Sequence, residues 1–125
     1  MDIPKDYLYT KTHEWIDFSD DGKARIGITD FAQQELGDIV YVNLPEIGDS
    51  FEAGEVFADI ESVKTAEDIF TPVSGKVISV NEELLDKPEL VNENAFEAWF
   101  AELEDVTEPA DLMNAEEYEQ FVSEA

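Results

Sequence analysis

Apolar residues fall along this chain in short runs, not with a sustained helical period. Residues 24–28, Ala-Arg-Ile-Gly-Ile, alternate after the turn Ser19-Asp20-Asp21-Gly22. Residues 38–44 carry Ile39, Val40, Tyr41, Val42 and Leu44, and residues 56–61 carry Val56, Phe57 and Ile60. Further runs cover 68–71, 76–80 and 98–103. They are rich in β-branched and aromatic residues and separated by Gly, Pro, Asp and Asn, so each predicts a strand. Short strands at this spacing predict a sandwich or small barrel.

Two helices interrupt the pattern. The first is predicted over 31–36, where Asp30 and Gln33 have capping-box spacing and Gly37 can end the helix in a left-handed conformation. The second is predicted over about 114–123. Asn114 and Glu117 again have capping-box spacing, Tyr118, Phe121 and Val122 share a face, and Pro109 breaks the chain beforehand. A helix this short does not persist alone, so it is expected to pack on the sheet. There is also an internal echo. Ala53-Gly54-Glu55-Val56 and Ser74-Gly75-Lys76-Val77 match in pattern, each reading as a turn glycine leading into a strand. The echo implies two similar β units about an approximate two-fold, with a hairpin near Lys64 between them.

Composition narrows the chemistry. The 125 residues favour one domain, 1–125, and 43% hydrophobic content fits a globular chain. With no cysteine, disulfides, thiolate metal sites and thiol nucleophiles are excluded, and any sulfur redox chemistry must come from a cofactor. The N-terminus has no signal-peptide pattern, and no stretch approaches the roughly 18 apolar residues of a membrane helix. A cytoplasmic location is expected. Seven Lys and Arg face 32 Asp and Glu, a net charge of −25, which repels nucleic acid and anionic membranes. The acid could suit a partner with basic patches, or a salt-rich cytoplasm that screens self-repulsion. Its spread along the whole chain favours the second.

Residues 57–75 contain one basic side chain, Lys64. It lies between two strand-like runs, with Glu61, Glu67 and Asp68 around it. A hairpin tip pushes such a side chain into solvent, which makes it accessible to a modifying enzyme. That setting is poor for a Schiff-base lysine, which needs a desolvated amine. Nothing else assembles into a catalytic set. His13 is the single histidine, so no multi-histidine metal site can form, and it is expected to pack or to hydrogen-bond. Trp15 and Trp99 are expected to be core aromatics that partly define a cleft wall. Gly22, Gly48, Gly54 and Gly75 read as turn residues, and Glu116, Glu117, Glu119 and Glu124 as a solvated helix face.

Glu61-Ser62-Val63-Lys64, followed by Pro72-Val73-Ser74-Gly75-Lys76-Val77, resembles the lipoylation segment of glycine cleavage H proteins. The resemblance extends from about Tyr7 to Phe121. It includes Tyr9-Thr10-Lys11-Thr12-His13-Glu14-Trp15, Gly27-Ile28-Thr29-Asp30-Phe31-Ala32-Gln33, Leu36-Gly37-Asp38-Ile39-Val40, Val42-Asn43-Leu44-Pro45-Glu46-Ile47-Gly48 and a late loop, Pro88-Glu89-Leu90-Val91-Asn92-Glu93. One departure is Ala98-Trp99, where the family often has glycine before the tryptophan. The preceding Asn94-Ala95-Phe96-Glu97 is about one residue short, which bears on that loop and not on the lysine.

The resemblance implies a mainly β, barrel-sandwich hybrid fold of the lipoyl/biotinyl type, with a short internal helix and a C-terminal helix. It implies a carrier and not an enzyme, with lipoic acid joined to the Lys64 amine and no metal. The arm, roughly ten single bonds, reaches on the order of 14 Å. The implied partners are a pyridoxal-phosphate glycine decarboxylase, an aminomethyltransferase, a dihydrolipoyl dehydrogenase and a lipoate ligase or transferase. The aminomethyl group of glycine would travel from the first to the second. Thr12, Glu14 and Asp68 are the implied cleft residues around the loaded end. Alternatives are a lipoyl donor in a lipoate relay, an unmodified acidic interaction domain, and a biotin carrier. Biotin carriers usually flank the lysine with methionines, whereas here the neighbours are Val63 and Thr65.

Overall fold

Nine strands and four short helices form in the computed structural model, which describes residues 3–18, 21–107 and 111–124. In chain order these are β1 (Leu8–Tyr9), β2 (Glu14–Phe18), β3 (Ala24–Ile28), α1 (Asp30–Leu36), β4 (Ile39–Asn43), β5 (Ser50–Phe51), β6 (Val56–Ser62), β7 (Ala66–Phe70), β8 (Ser74–Val80), α2 (Glu83–Asp86), α3 (Leu90–Glu93), β9 (Ala101–Thr107) and α4 (Ala115–Ser123). The strands make two antiparallel sheets, ordered β1–β2–β3–β9–β8–β5 and β4–β6–β7. The mainly β architecture with an internal and a C-terminal helix agrees with the expected fold class.

Both sheets contribute to one apolar core: Ile16, Ile26 and Leu103 from the larger, Val42, Phe57, Ile60 and Ile69 from the smaller. A second cluster, Tyr9, Trp15, Ala115 and Tyr118, lies where α4 covers the other face of the larger sheet. β2 is therefore buried on both sides, Ile16 facing one cluster and Trp15 the other. This is why alternation did not mark it: a strand covered on both faces loses its period of two, and this one begins with an acid.

Several expectations are corrected. The cap of α1 is Thr29, whose hydroxyl accepts from the Ala32 amide. Asp30 is the first helical residue, and its carboxylate accepts from the Gln33 and Gln34 side chains at 2.8 and 2.6 Å. Gly37 does close the helix with positive φ, +79°, but its ψ of −159° lies outside the left-handed helical region. The run predicted at 98–103 becomes a strand over Ala101–Thr107, because the backbones of Ala98–Phe100 are taken up in irregular bonds, among them Phe100 N–H to the Ile26 carbonyl at 2.8 Å. The stretch read as a late loop folds into α3, with Val91 fully buried.

Gly75 is not a turn residue. It lies inside β8 opposite Phe51, and a methyl group there would sit 3.0 Å from the Glu104 carbonyl of β9. Gly54, its counterpart in the echo, is in a turn with φ of +92°, so the two glycines do different jobs. The α4 capping box at Asn114 and Glu117 is present, Tyr118 is buried, and Glu116, Glu117, Glu119 and Glu124 are exposed. Ser19, Asp20 and Pro109 lie outside the described residues. No described helix is long and apolar enough to cross a membrane.

Candidate functional site

Lys64 stands at the tip of the β6–β7 hairpin, exposed together with Val63 and Thr65. Ser62 closes the turn. Its amide donates to the Thr65 carbonyl at 2.8 Å, while its hydroxyl accepts from the Lys64 and Thr65 amides, each at 3.1 Å. A three-residue link closed by the serine before it suits this role, because the hydroxyl replaces partners that the turn's amides would otherwise seek in water. Among the described residues Lys64 has no ion-pair partner, although Glu61, Glu67 and Asp68 are nearby in sequence and exposed. The aliphatic stem lies along Gly37: a methyl group on that glycine would be 3.4 Å from Lys64 Cε.

A groove of about 220 Å³ lies between α1 and β7, reaching Leu36, the neighbour of Gly37. Ile28, Ala32, Leu36 and Ile69 give it an apolar floor, and Thr12 and Asp68 are among its polar residues. Thr12 also borders a second cleft of about 360 Å³ that contains Thr10, Glu14, Gly54, Phe70 and Pro72. The structure thus places Thr12 between Asp68 on one side and Glu14 on the other. It does not put Asp68 and Glu14 in the same cavity.

Glu14 is 2% exposed. One oxygen, Oε1, accepts from Thr10 Oγ1 at 2.6 Å and also from Thr12 Oγ1. Burial pushes the carboxyl up to about 7, against hydrogen bonds from Thr10, Thr12 and the Phe70 and Glu14 backbones that pull it down. Near neutral pH this acid is poised between its two forms. Sequence reasoning missed Thr10. No strand period marks it, because residues 10–13 form a turn, closed by the His13 amide on the Thr10 carbonyl at 3.2 Å, which folds both hydroxyls back onto Glu14.

His13, between these residues, has φ of +70°. Its Nδ1 lies 2.8 Å from the Tyr118 hydroxyl, which is 2.6 Å from Thr29 Oγ1. The ring packs on Phe31 and Phe121, and burial lowers its basicity while Glu35 opposes this. The expected packing and hydrogen-bonding role is what the structure shows. Tyr118 and Thr29, which complete the tie, were missed.

The tryptophans do not form a cleft wall at Glu14. Trp15 points into the cluster beneath α4, its indole N–H donating to the Ala95 carbonyl at 3.0 Å. Trp99 is half-buried, with the Arg25 guanidinium 4.5 Å from its ring centroid. Neighbouring side chains of β2 point to opposite faces, so Glu14 and Trp15 cannot line one cavity. The loop before Trp99 is held firmly despite lacking the glycine. Ala95 is buried, and the Asn94 carbonyl accepts from the Glu97 and Ala98 amides.

An exposed primary amine close to a groove that combines apolar side chains with Thr12, Glu35, Glu67 and Asp68 fits a lysine-linked carbon chain with a polar or cationic end. The glycine cleavage H-protein family profile matches residues 7–125. The chain belongs to that family. It is 52% identical over 122 residues to the glycine cleavage system H protein of Lachnoclostridium phytofermentans, covering 98% of this chain and 96% of that one. It is 53% identical over 125 residues to that of Halalkalibacterium halodurans, covering 98% and 97%. A crystal structure of a glycine cleavage system H protein from Mycobacterium marinum superposes with a TM-score of 0.91 at 38% identity, covering 97% of this chain and 99% of that one. The family's fold is thus shared along nearly the whole chain, and the hairpin, groove and Glu14 cleft lie within the matched region.

Proposed function

We propose that this chain is the lipoyl-carrying shuttle of the glycine cleavage system, working as a single domain over 1–125 in the cytoplasm with the group attached at Lys64. It is a carrier, not an enzyme. It moves the aminomethyl group of glycine from the pyridoxal-phosphate decarboxylase to the aminomethyltransferase. Dihydrolipoyl dehydrogenase and a lipoate ligase or transferase are its other partners. The observation that carries the reading is the position of Lys64, exposed on a serine-closed tip with its stem beside Gly37, the neighbour of the groove residue Leu36. When bound, a lipoyl group supplies a disulfide that can take a one-carbon amine at one sulfur and be restored by oxidation.

The chain's own residues hold and shield what the arm brings. Lys64 and Asp68 are four residues apart and therefore separated by no more than about 14 Å, the reach of the arm. Ile28, Ala32, Leu36 and Ile69 keep water from a hydrocarbon stem. Asp68 and Thr12 stand at the polar end of the groove, with Glu14 beyond. A cation arriving beside Glu14 favours its charged form, so the carboxyl releases its proton as the amine docks. Thr10 and Thr12 keep Oε1 oriented in either state.

Peptide mass mapping of protein purified from its own host tests the attachment. The peptide containing Lys64 should carry the mass of a lipoyl group. An unmodified lysine, or a biotinyl mass, overturns the reading. Lys64→Arg should abolish glycine oxidation in a reconstituted system while leaving the fold intact.

A further inference from the structure

We propose that Asn92 is a positioning residue for Lys64, acting by clamping the backbone on both sides of the residue from which the hairpin tip hangs. The proposal rests on Lys64 being the loaded residue. Asn92 is half-buried on α3. Its Oδ1 accepts from the Ile39 amide at 2.8 Å, and its Nδ2 donates to the Gly37 carbonyl at 2.9 Å and to Gln33 Oε1 at 2.8 Å. A backbone amide can only donate and a carbonyl can only accept, so the side-chain orientation is unambiguous and both amide hydrogens are used.

Residues 37 and 39 are thereby both tied to one side chain. Between them is Asp38, whose carbonyl accepts from the Val63 amide at 3.0 Å. Gly37 also supports the Lys64 stem. Asn92's three hydrogen bonds go to Gln33, Gly37 and Ile39, not to Lys64 or Val63. Its effect passes through one residue of backbone, to the amide next to the lysine on one side and to the lysine's methylenes on the other.

The tip needs such a platform. Val63, Lys64 and Thr65 are exposed, so no buried side chain anchors them, and the bonds made by Ser62 fix the shape of the turn without fixing where the turn points. β4, which receives the clamp, has a register shift against β6 between Ile39 and Tyr41, so the regular ladder is interrupted where the platform begins. A three-way amide substitutes for it. α1 is tied in through Gln33, and with it the groove wall carrying Ala32 and Leu36.

The test uses protein isolated without lipoate, comparing Asn92→Ala and the isosteric Asn92→Asp with wild type and with Asn94→Ala on the same segment. Amide hydrogen exchange is read at Val63, Ile60 and Val77. Acylation of Lys64 is followed with a purified lipoate ligase, ATP and lipoate, separating KM for the carrier from kcat. Both Asn92 variants should speed exchange at Val63 about tenfold, the scale of one or two lost hydrogen bonds, with Ile60 and Val77 unchanged. They should also raise the carrier KM severalfold with kcat unchanged. Asn94→Ala should do neither. Unchanged protection at Val63 in both variants overturns the proposal. So does a uniform rise at all three amides, which would mark a purely structural role. If the ligase fails to acylate wild type, the Lys64 reading fails instead, and the exchange measurements still decide the clamp.

Discussion

Glu14 is an acid whose surroundings work against its charge. Its carboxyl is pushed to about 7 by burial, above the ordinary 4.5. A folded-state value raised in this way means that the native protein binds the proton more tightly than the unfolded chain. The group therefore favours folding fully below about 4.5, and that contribution is lost as pH rises through 7. The change amounts to about 3 kcal/mol. In Glu14→Gln this part of the pH dependence should vanish. Urea midpoints of the two proteins should converge at acid pH and separate above neutrality, with the variant the more stable; parallel curves would refute it. Gly27 shows the opposite constraint, of space. A methyl group there would fall 2.6 Å from the Trp15 ring that lies across it. Gly27→Ala should cost about 1–3 kcal/mol, measured by denaturant unfolding. Lys64 was legible as the lone base in its segment, and Thr12, Glu14 and Asp68 were named as cleft residues from resemblance alone; the bond from Thr12 to Glu14 was not foreseen. Asn92 was not legible as a clamp, because its partners are 53 to 59 positions away and are mostly backbone, which has no sequence signature.

At the scale of elements, local chemistry was easiest to read. The α4 capping box is intact, with both reciprocal bonds formed at 2.8 and 3.0 Å. Asn114→Ala should lower stability by about 1 kcal/mol, visible as a shift in the thermal midpoint. The cap of α1 was misassigned by one position because threonine and aspartate are both good caps, and only the tertiary tie from Thr29 to Tyr118 decides between them. Strands β3, β4, β6, β7 and β8 were found, whereas β1 and β5, two residues each, are too short to show any period. β2 was missed because both faces are covered, and β9 was misplaced because its acids Glu102, Glu104 and Asp105 look like loop. The same tie makes α4 a brace for the segment bearing Glu14.

For the whole molecule the dominant quantity is charge. At −25 the native state repels itself, and some acids are directly opposed, as Asp59 and Asp68 are across β6 and β7. Exposed ion pairs such as Arg25–Glu102 at 3.3 Å do little to offset this. Raising salt from roughly 0.05 to 1 M shortens the screening length to about 3 Å, so the melting temperature should climb by several degrees. No climb would exclude self-repulsion as a main burden on the fold. The sandwich itself was visible in the spacing of strands. The second, aromatic cluster was not, because Tyr9, Trp15 and Tyr118 meet only once the chain ends have come together.

The hairpin tip has one more consequence. Val63, Lys64 and Thr65 are exposed, and none of them belongs to the apolar core. A group joined to that amine would therefore displace no core side chain and break none of the bonds that pair β4, β6 and β7. On the proposed reading, the protein would reach its native state first and be armed afterwards, and would exchange its load without partly unfolding to do so.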